Sequence, residues 1–171
     1  KLTNVAMHAL AEYCTRLTSV VVESCPLVTD AGVMALASGC RLLSNVNLSH
    51  CRNVTNVSIE SLAQKCSSLE LLLLSGCVRL TDGVMDALAT SCPWLLHLDV
   101  SHCTQLTDAA IHTLARGCPR LAVLNVEGCD SLTSTALQQL IFGEFSSLRK
   151  IVLSDLLMFE VTMITFIMSL V

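Results

Sequence analysis

Hydrophobic positions along this chain alternate between two spacings. In LAVLNVEGC, Leu124 and Val126 fall at every second position between polar neighbours, as in a strand that buries one face. In DAAIHTLA, Ile111 and Leu114 lie one turn apart, the spacing of a helix. Between strand and helix comes LTD, VTN or LTS, which sets Asp30, Asn56, Asp82, Asp108 and Ser134 ahead of the helical pattern. Short oxygen-bearing side chains there are expected to cap the free N–H groups of each helix. The predicted unit is strand, turn, helix, return.

Cysteine dates the repeat. The ten cysteines fall at 14, 40, 66, 92 and 118 and at 25, 51, 77, 103 and 129, two series that both advance by 26. Aligned on them, the chain reads C-x-x-L-x-x-(V/L)-x-(L/V)-x-x-C-x-x-(L/V)-T-(D/N/S), followed by the helical pattern; Cys92 to Ala115 shows it clearly. A further copy starts at Phe145 after one inserted residue, with Phe145 and Leu156 in the cysteine positions.

A strict period of this length with L-x-x-L-x-L-x-x-(N/C) predicts a leucine-rich-repeat solenoid. The fold class expected is α/β: a horseshoe with parallel strands on the concave face and helices on the convex face. One copy cannot bury its own apolar face, so stability must come from stacking on neighbours. Six strands make a sheet roughly 25–30 Å wide. The solenoid should cover residues 1–156, leaving an apolar C-terminal segment, 157–171.

Composition changes this picture little. Hydrophobic residues make up 53% of the chain and aromatic ones 4%, so the core is aliphatic. A net charge of −4 without any basic run argues against nucleic acid as a partner. No cysteine pair has zinc-ligand spacing, so no metal site is expected. Equivalent side chains in a stack point the same way, which disfavours disulfides. A catalytic thiolate needs one special environment, and ten repeating positions do not provide one. The cysteines are expected to be buried core side chains.

The strings CPRLAVLNVEGCDSLT and CPWLLHLDVSHCTQLTDAAIHTLARG resemble the cysteine-containing subclass of leucine-rich repeats. That subclass occurs chiefly in F-box/leucine-rich-repeat proteins, the substrate receptors of SCF ubiquitin ligases, and in relatives of the mitotic-exit antagonist type. The resemblance implies an intracellular protein, cytoplasmic or nuclear, whose solenoid holds a protein to be ubiquitinated. This chain has no F-box, and every residue before Cys14 fits the repeat. Skp adaptor and cullin are expected only if an F-box lies upstream. The competing expectation is a leucine-rich-repeat scaffold or regulator without a ligase connection.

Outward-facing strand residues form columns across the copies. One column reads Ser19, Asn45, Leu71, His97, Val123, Lys150; the next Val21, Asn47, Leu73, Asp99, Asn125, Val152; a third Glu23, Ser49, Ser75, Ser101, Glu127, Ser154. Leu71 and Leu73 should form an exposed apolar pair, and Asn45, Asn47, His97, Asp99, Val123 and Asn125 complete the expected partner-binding face. His97 and Asp99 lack a nucleophile and an enclosed pocket, so no enzyme is expected. Only Lys150, beside Arg149, offers a basic floor, which disfavours an anionic cofactor.

Both ends carry expectations of their own. Starting mid-repeat should expose the edges of Met7 and Leu10, which suggests further repeats or an F-box region before Lys1. The segment LLMFEVTMITFIMSLV is too short, with Glu160 inside, for a spanning helix that needs roughly 20 apolar residues. It fits a degenerate final helix with Met163, Ile164 and Ile167 near core positions, and membrane association is not expected.

Overall fold

In the computed structural model, described for residues 2–142 and 145–153, six short strands alternate with six helices. The strands are β1 (Ser19–Val21), β2 (Asn45–Asn47), β3 (Leu71–Leu73), β4 (His97–Asp99), β5 (Val123–Asn125) and β6 (Lys150–Val152). They form one parallel sheet in sequence order. The helices are α1 (Asn4–Tyr13), α2 (Asp30–Gly39), α3 (Asn56–Lys65), α4 (Gly83–Ser91), α5 (Asp108–Gly117) and α6 (Ser134–Phe142). Strand register follows the 26-residue repeat from Ser19 to Val123, and Val123 pairs with Lys150 across the one inserted residue. The C-terminal segment 157–171, with its expected final helix, lies outside the described residues.

Alternation sets the core. Val46, Leu72, Leu98 and Leu124 point inward from the strands and are fully buried, as are Leu36, Leu62, Leu88 and Leu114 from the helices. Together they form one continuous cluster through all the coils. Met7 is also fully buried, contrary to the expectation of an exposed edge, and Leu10 is half-buried. The absence of a side chain at Gly32 leaves room for Met7, whose Cγ would lie 3.1 Å from a Cβ there.

Helices α1–α5 each end at a cysteine of the first series, whose N–H donates to a leucine carbonyl one turn back, as Cys40 does to Leu36. Eight of the ten thiols are buried; Cys14 is exposed and Cys25 half-buried, both in the first coil. The thiols do more than fill space. Cys51, Cys77, Cys103 and Cys129 donate S–H to the carbonyls of Val22, Leu48, Leu74 and Val100 one coil back, at 2.9–3.4 Å. Cys40 and Cys66 donate to the C-cap carbonyls of Cys14 and Cys40, at 3.2 and 3.6 Å. A helix end leaves carbonyls without intrahelical donors, and the next coil's thiol supplies one.

The capping expectation needs correction. Thr29, Thr55 and Thr107 occupy the N-cap, while Asp30, Asn56 and Asp108 are the first helical residues. Asp82 does sit at the cap of α4 but makes no capping bond. These side chains reach instead to the following coil. Asp30 accepts from the Thr55 N–H at 2.8 Å and from its hydroxyl at 2.7 Å, and Asp82 accepts from Thr107 in the same way. Asn4 and Asn56 accept from the N–H of Thr29 and Thr81 but donate their amide to the threonine hydroxyl.

The threonine therefore reverses its role with its partner. Opposite a carboxylate it spends its proton outward and its oxygen caps the helix, as Thr55 does for Val57 and Thr107 for Ala109. Opposite an amide it accepts, and Thr29 makes no capping bond. One position per coil also requires positive φ: Ser24, His50, Gly76, His102 and Gly128, at +55° to +67°. At Gly76 and Gly128 the imidazoles of His50 and His102 occupy the space that a Cβ would need, so a side chain there would meet the neighbouring ring as well as an unfavourable φ.

Two outcomes are expected. Asp30→Ala should cost about 1–2 kcal/mol in chemical denaturation, whereas Asp30→Asn should cost less than about half of that, since the threonine can reverse. Burial acts to raise the Asp30 carboxyl, but hydrogen bonds from Ser58 and Thr55, with Arg79 nearby, leave it below its ordinary value. Its contribution is complete above the unfolded value of 3.8 and is lost as pH falls through the lower folded value, a loss absent from the asparagine variant.

The second outcome concerns base. Burial pushes Cys66 and Cys129 up to about 11, and Cys77, Cys92 and Cys118 up to about 12, from an ordinary 9.0. Unfolded thiols ionise first, so stability is complete below pH 9 and falls as pH rises toward the folded values. A thermal midpoint that did not drop steeply between pH 9 and 11 would contradict the buried ladder.

Candidate partner-binding face

Because β-strand side chains alternate, the residues between the buried ones face the concave side. Asn45, Leu71, His97 and Val123 are aligned in register on neighbouring strands, as are Asn47, Leu73, Asp99 and Asn125. All eight are half-buried by their neighbours on the sheet. Leu71 and Leu73 are thus less open than the sequence suggests, because residues on the flanking strands shield their sides. Val21, in the same column on β1, is 65% exposed.

Local hydrogen bonds hold the polar members in place. Asn47, Asp99 and Asn125 each accept the N–H two residues ahead, from Ser49, Ser101 and Glu127, at 2.9–3.0 Å. These Asx-type contacts serve backbone groups where the strand ends. Asn125 donates to the second Asp99 oxygen at 3.1 Å, and the Ser101 hydroxyl donates to the first at 2.7 Å. Asp99 is thereby committed to Ser101 and Asn125 rather than to His97. Ser44 donates to Asn45 at 2.7 Å. In the third column Ser49 and Ser101 are buried, so serine there supports the face from beneath. Ser154 lies outside the described residues. Among the described residues no three His, Cys, Asp or Glu side chains stand together as a metal site would require.

A second surface lies at the N-terminal ends of β4–β6, off the strand columns. Trp94 is 52% exposed, and the Arg120 guanidinium stacks on its ring at 4.6 Å from the centroid. Beside them Leu96, Ala122, Ser147 and Arg149 line a shallow groove with Arg120. Strand periodicity does not reveal this surface, since Trp94 and Arg120 precede the strands in their coils. The signal available was the tryptophan itself, the single one in the chain, at a position where other copies carry arginine, leucine or serine.

No helix among the described residues is long and apolar enough to cross a membrane. The Leucine Rich repeat family model matches residues 13–37 and 91–115, two copies set three repeats apart. Among solved structures, a chain of the yeast Rad7–Elc1 complex superposes with a TM-score of 0.64 at 18% identity, over 87% of this chain. The match spans 44% of that relative, so this chain corresponds to less than half of its length. Leiomodin-1 actin-binding site 2 superposes with a TM-score of 0.51 at 12% identity, covering 95% of this chain and 85% of that one. No curated protein matches the sequence significantly. At such identities the structural likenesses speak for the fold alone, and they agree with the register, the single parallel sheet and the matched copies. The fold is a leucine-rich-repeat solenoid, and two of its copies match the Leucine Rich repeat family model.

Proposed function

We propose that the concave face recognises a protein, and that the chain serves as the substrate-recognition part of an SCF-type ubiquitin ligase, with no catalysis, cofactor or metal of its own. The observation that carries the recognition reading is the composition of the two outward columns. Leu71 and Leu73 form an apolar centre, flanked by Asn45 and Asn47 on one side and His97 and Asp99 on the other. An apolar centre with a hydrogen-bonding rim is the anatomy of a protein interface. Asn45, Asn47 and Asp99 are pre-organised by their own contacts, so a partner meets side chains whose ordering cost is already met.

The ligase assignment rests on the doubled cysteine with L-T-D, which resembles F-box/leucine-rich-repeat receptors. Skp adaptor and cullin would join through an F-box that these residues do not include. A cytoplasmic or nuclear setting follows from that resemblance and suits ten free thiols. The yeast relative was crystallised in complex with Elc1, so a protein of this fold does engage a protein partner. The second reading, a scaffold or regulator without a ligase, draws on leiomodin-1, where the same architecture is an actin-binding site.

Affinity purification of the full-length gene product from its own cells, with mass spectrometry, separates the two readings. Recovery of Skp adaptor and cullin supports the ligase; another stable partner without them supports the scaffold. Leu71→Asp combined with Leu73→Asp should reduce capture of the partner by at least roughly tenfold, the loss of a small apolar centre. The thermal midpoint should stay near that of the unsubstituted protein. Full capture by the folded double variant would remove the concave face from the proposal.

A further inference from the structure

The rim at the N-terminal ends of β4–β6 differs in chemistry from the concave columns. Trp94 is half exposed, Leu96 is 36% exposed, and Arg120 and Arg149 are both exposed beside them. None of the five described residues lining the groove is acidic. In a chain with a net charge of −4, this places two guanidinium groups at the edge of an apolar platform with no carboxylate among the described residues of the groove. Arg120 is fixed by its stack on Trp94, which spends the ring face and leaves the N–H edges of the guanidinium to meet an acceptor.

We infer that this rim is a second docking surface, taking an acidic segment of a partner protein: a carboxylate held between Arg120 and Arg149, with a neighbouring apolar side chain on Leu96 and the Trp94 edge. The charge complementarity is directional. Ser44, Glu70, Leu96, Ala122 and Arg149 occupy one row of the rim, as the shared backbone contacts of successive coils show. Glu70 closes the β3 side with negative charge, and Arg149 gives the β6 side positive charge. An acidic segment is repelled at one end of the row and attracted at the other, so it lies with its carboxylates toward β6. Arginine suits carboxylate recognition because its planar fork makes two parallel hydrogen bonds. The surface stands apart from the concave columns and does not depend on the ligase reading.

Trp94 is the single tryptophan, so its emission reports on the surface directly. The test titrates the full chain with an acetylated, amidated pentapeptide Glu-Glu-Leu-Glu-Glu, and separately with Lys-Lys-Leu-Lys-Lys and inorganic phosphate. A saturable change in Trp94 emission with the acidic peptide alone, weakening as salt rises, is expected. Arg149→Glu, which leaves the Trp94–Arg120 stack in place, should weaken the acidic peptide by roughly tenfold or more. Circular dichroism of that variant should match the parent; if it does not fold, Arg149→Gln replaces it, with weakening still expected. The proposal is overturned by any of four results: no saturable change, an equal response to the lysine peptide, an equal response to phosphate alone, or undiminished binding in the folded variant. It is also overturned if Trp94 already emits as a buried indole in the free chain, since another part of the chain then covers the rim.

Discussion

Stacked coils must satisfy, at every interface, the backbone groups that no strand or helix serves internally. A buried carbonyl or amide without a partner costs about 1–3 kcal/mol, and this architecture would repeat that cost in each coil. The chain meets the requirement with side chains that reach one repeat back or forward. Thiols of both cysteine series donate to carbonyls of the preceding coil, while Asp30, Asn56, Asp82 and Asp108 receive the threonine N–H of the following one. Hydrophobic burial supplies the drive to stack, but these contacts fix how the coils sit on one another. A shift by one residue would separate every such pair at once.

This division explains why cysteine suits its positions better than other small side chains. Alanine would fill the space without donating, and serine would place a shorter, more strongly hydrated group there. The thiol is apolar enough to be buried and polar enough to meet a carbonyl at 2.9–3.4 Å. The threonines show comparable economy, since one hydroxyl donates to an aspartate in one coil and accepts from an asparagine in another.

The repeat, the strand register and the inward set were legible because packing imposes a short period on them. Leu72 and Val46 cannot move by one residue without turning a buried side chain to solvent. The role of Asp30 was not legible, because its partner lies 25 residues away and local reasoning assigns such a side chain to its own helix. The positions of Leu71, Leu73, His97 and Asp99 on the outward face followed from alternation, but not the way the flanking strands shield them. Nor could periodicity find Trp94 and Arg120, which meet across neighbouring coils outside the strands. The features that escaped are those in which one coil acts on the next through polar groups.

The buried thiols also tie the lifetime of the fold to its chemical surroundings. While the coils are stacked, Cys77 and Cys103 are inaccessible and held as thiols. If a coil frays, the newly wetted sulfur becomes open to oxidants, and each added oxygen enlarges and hydrates a group whose space was cut for S–H. Such a coil cannot close again over its neighbour. In a reducing medium fraying is a passing fluctuation; in an oxidising one it becomes a ratchet, and the protein's durability is then set by how often its coils open rather than by how strongly they close.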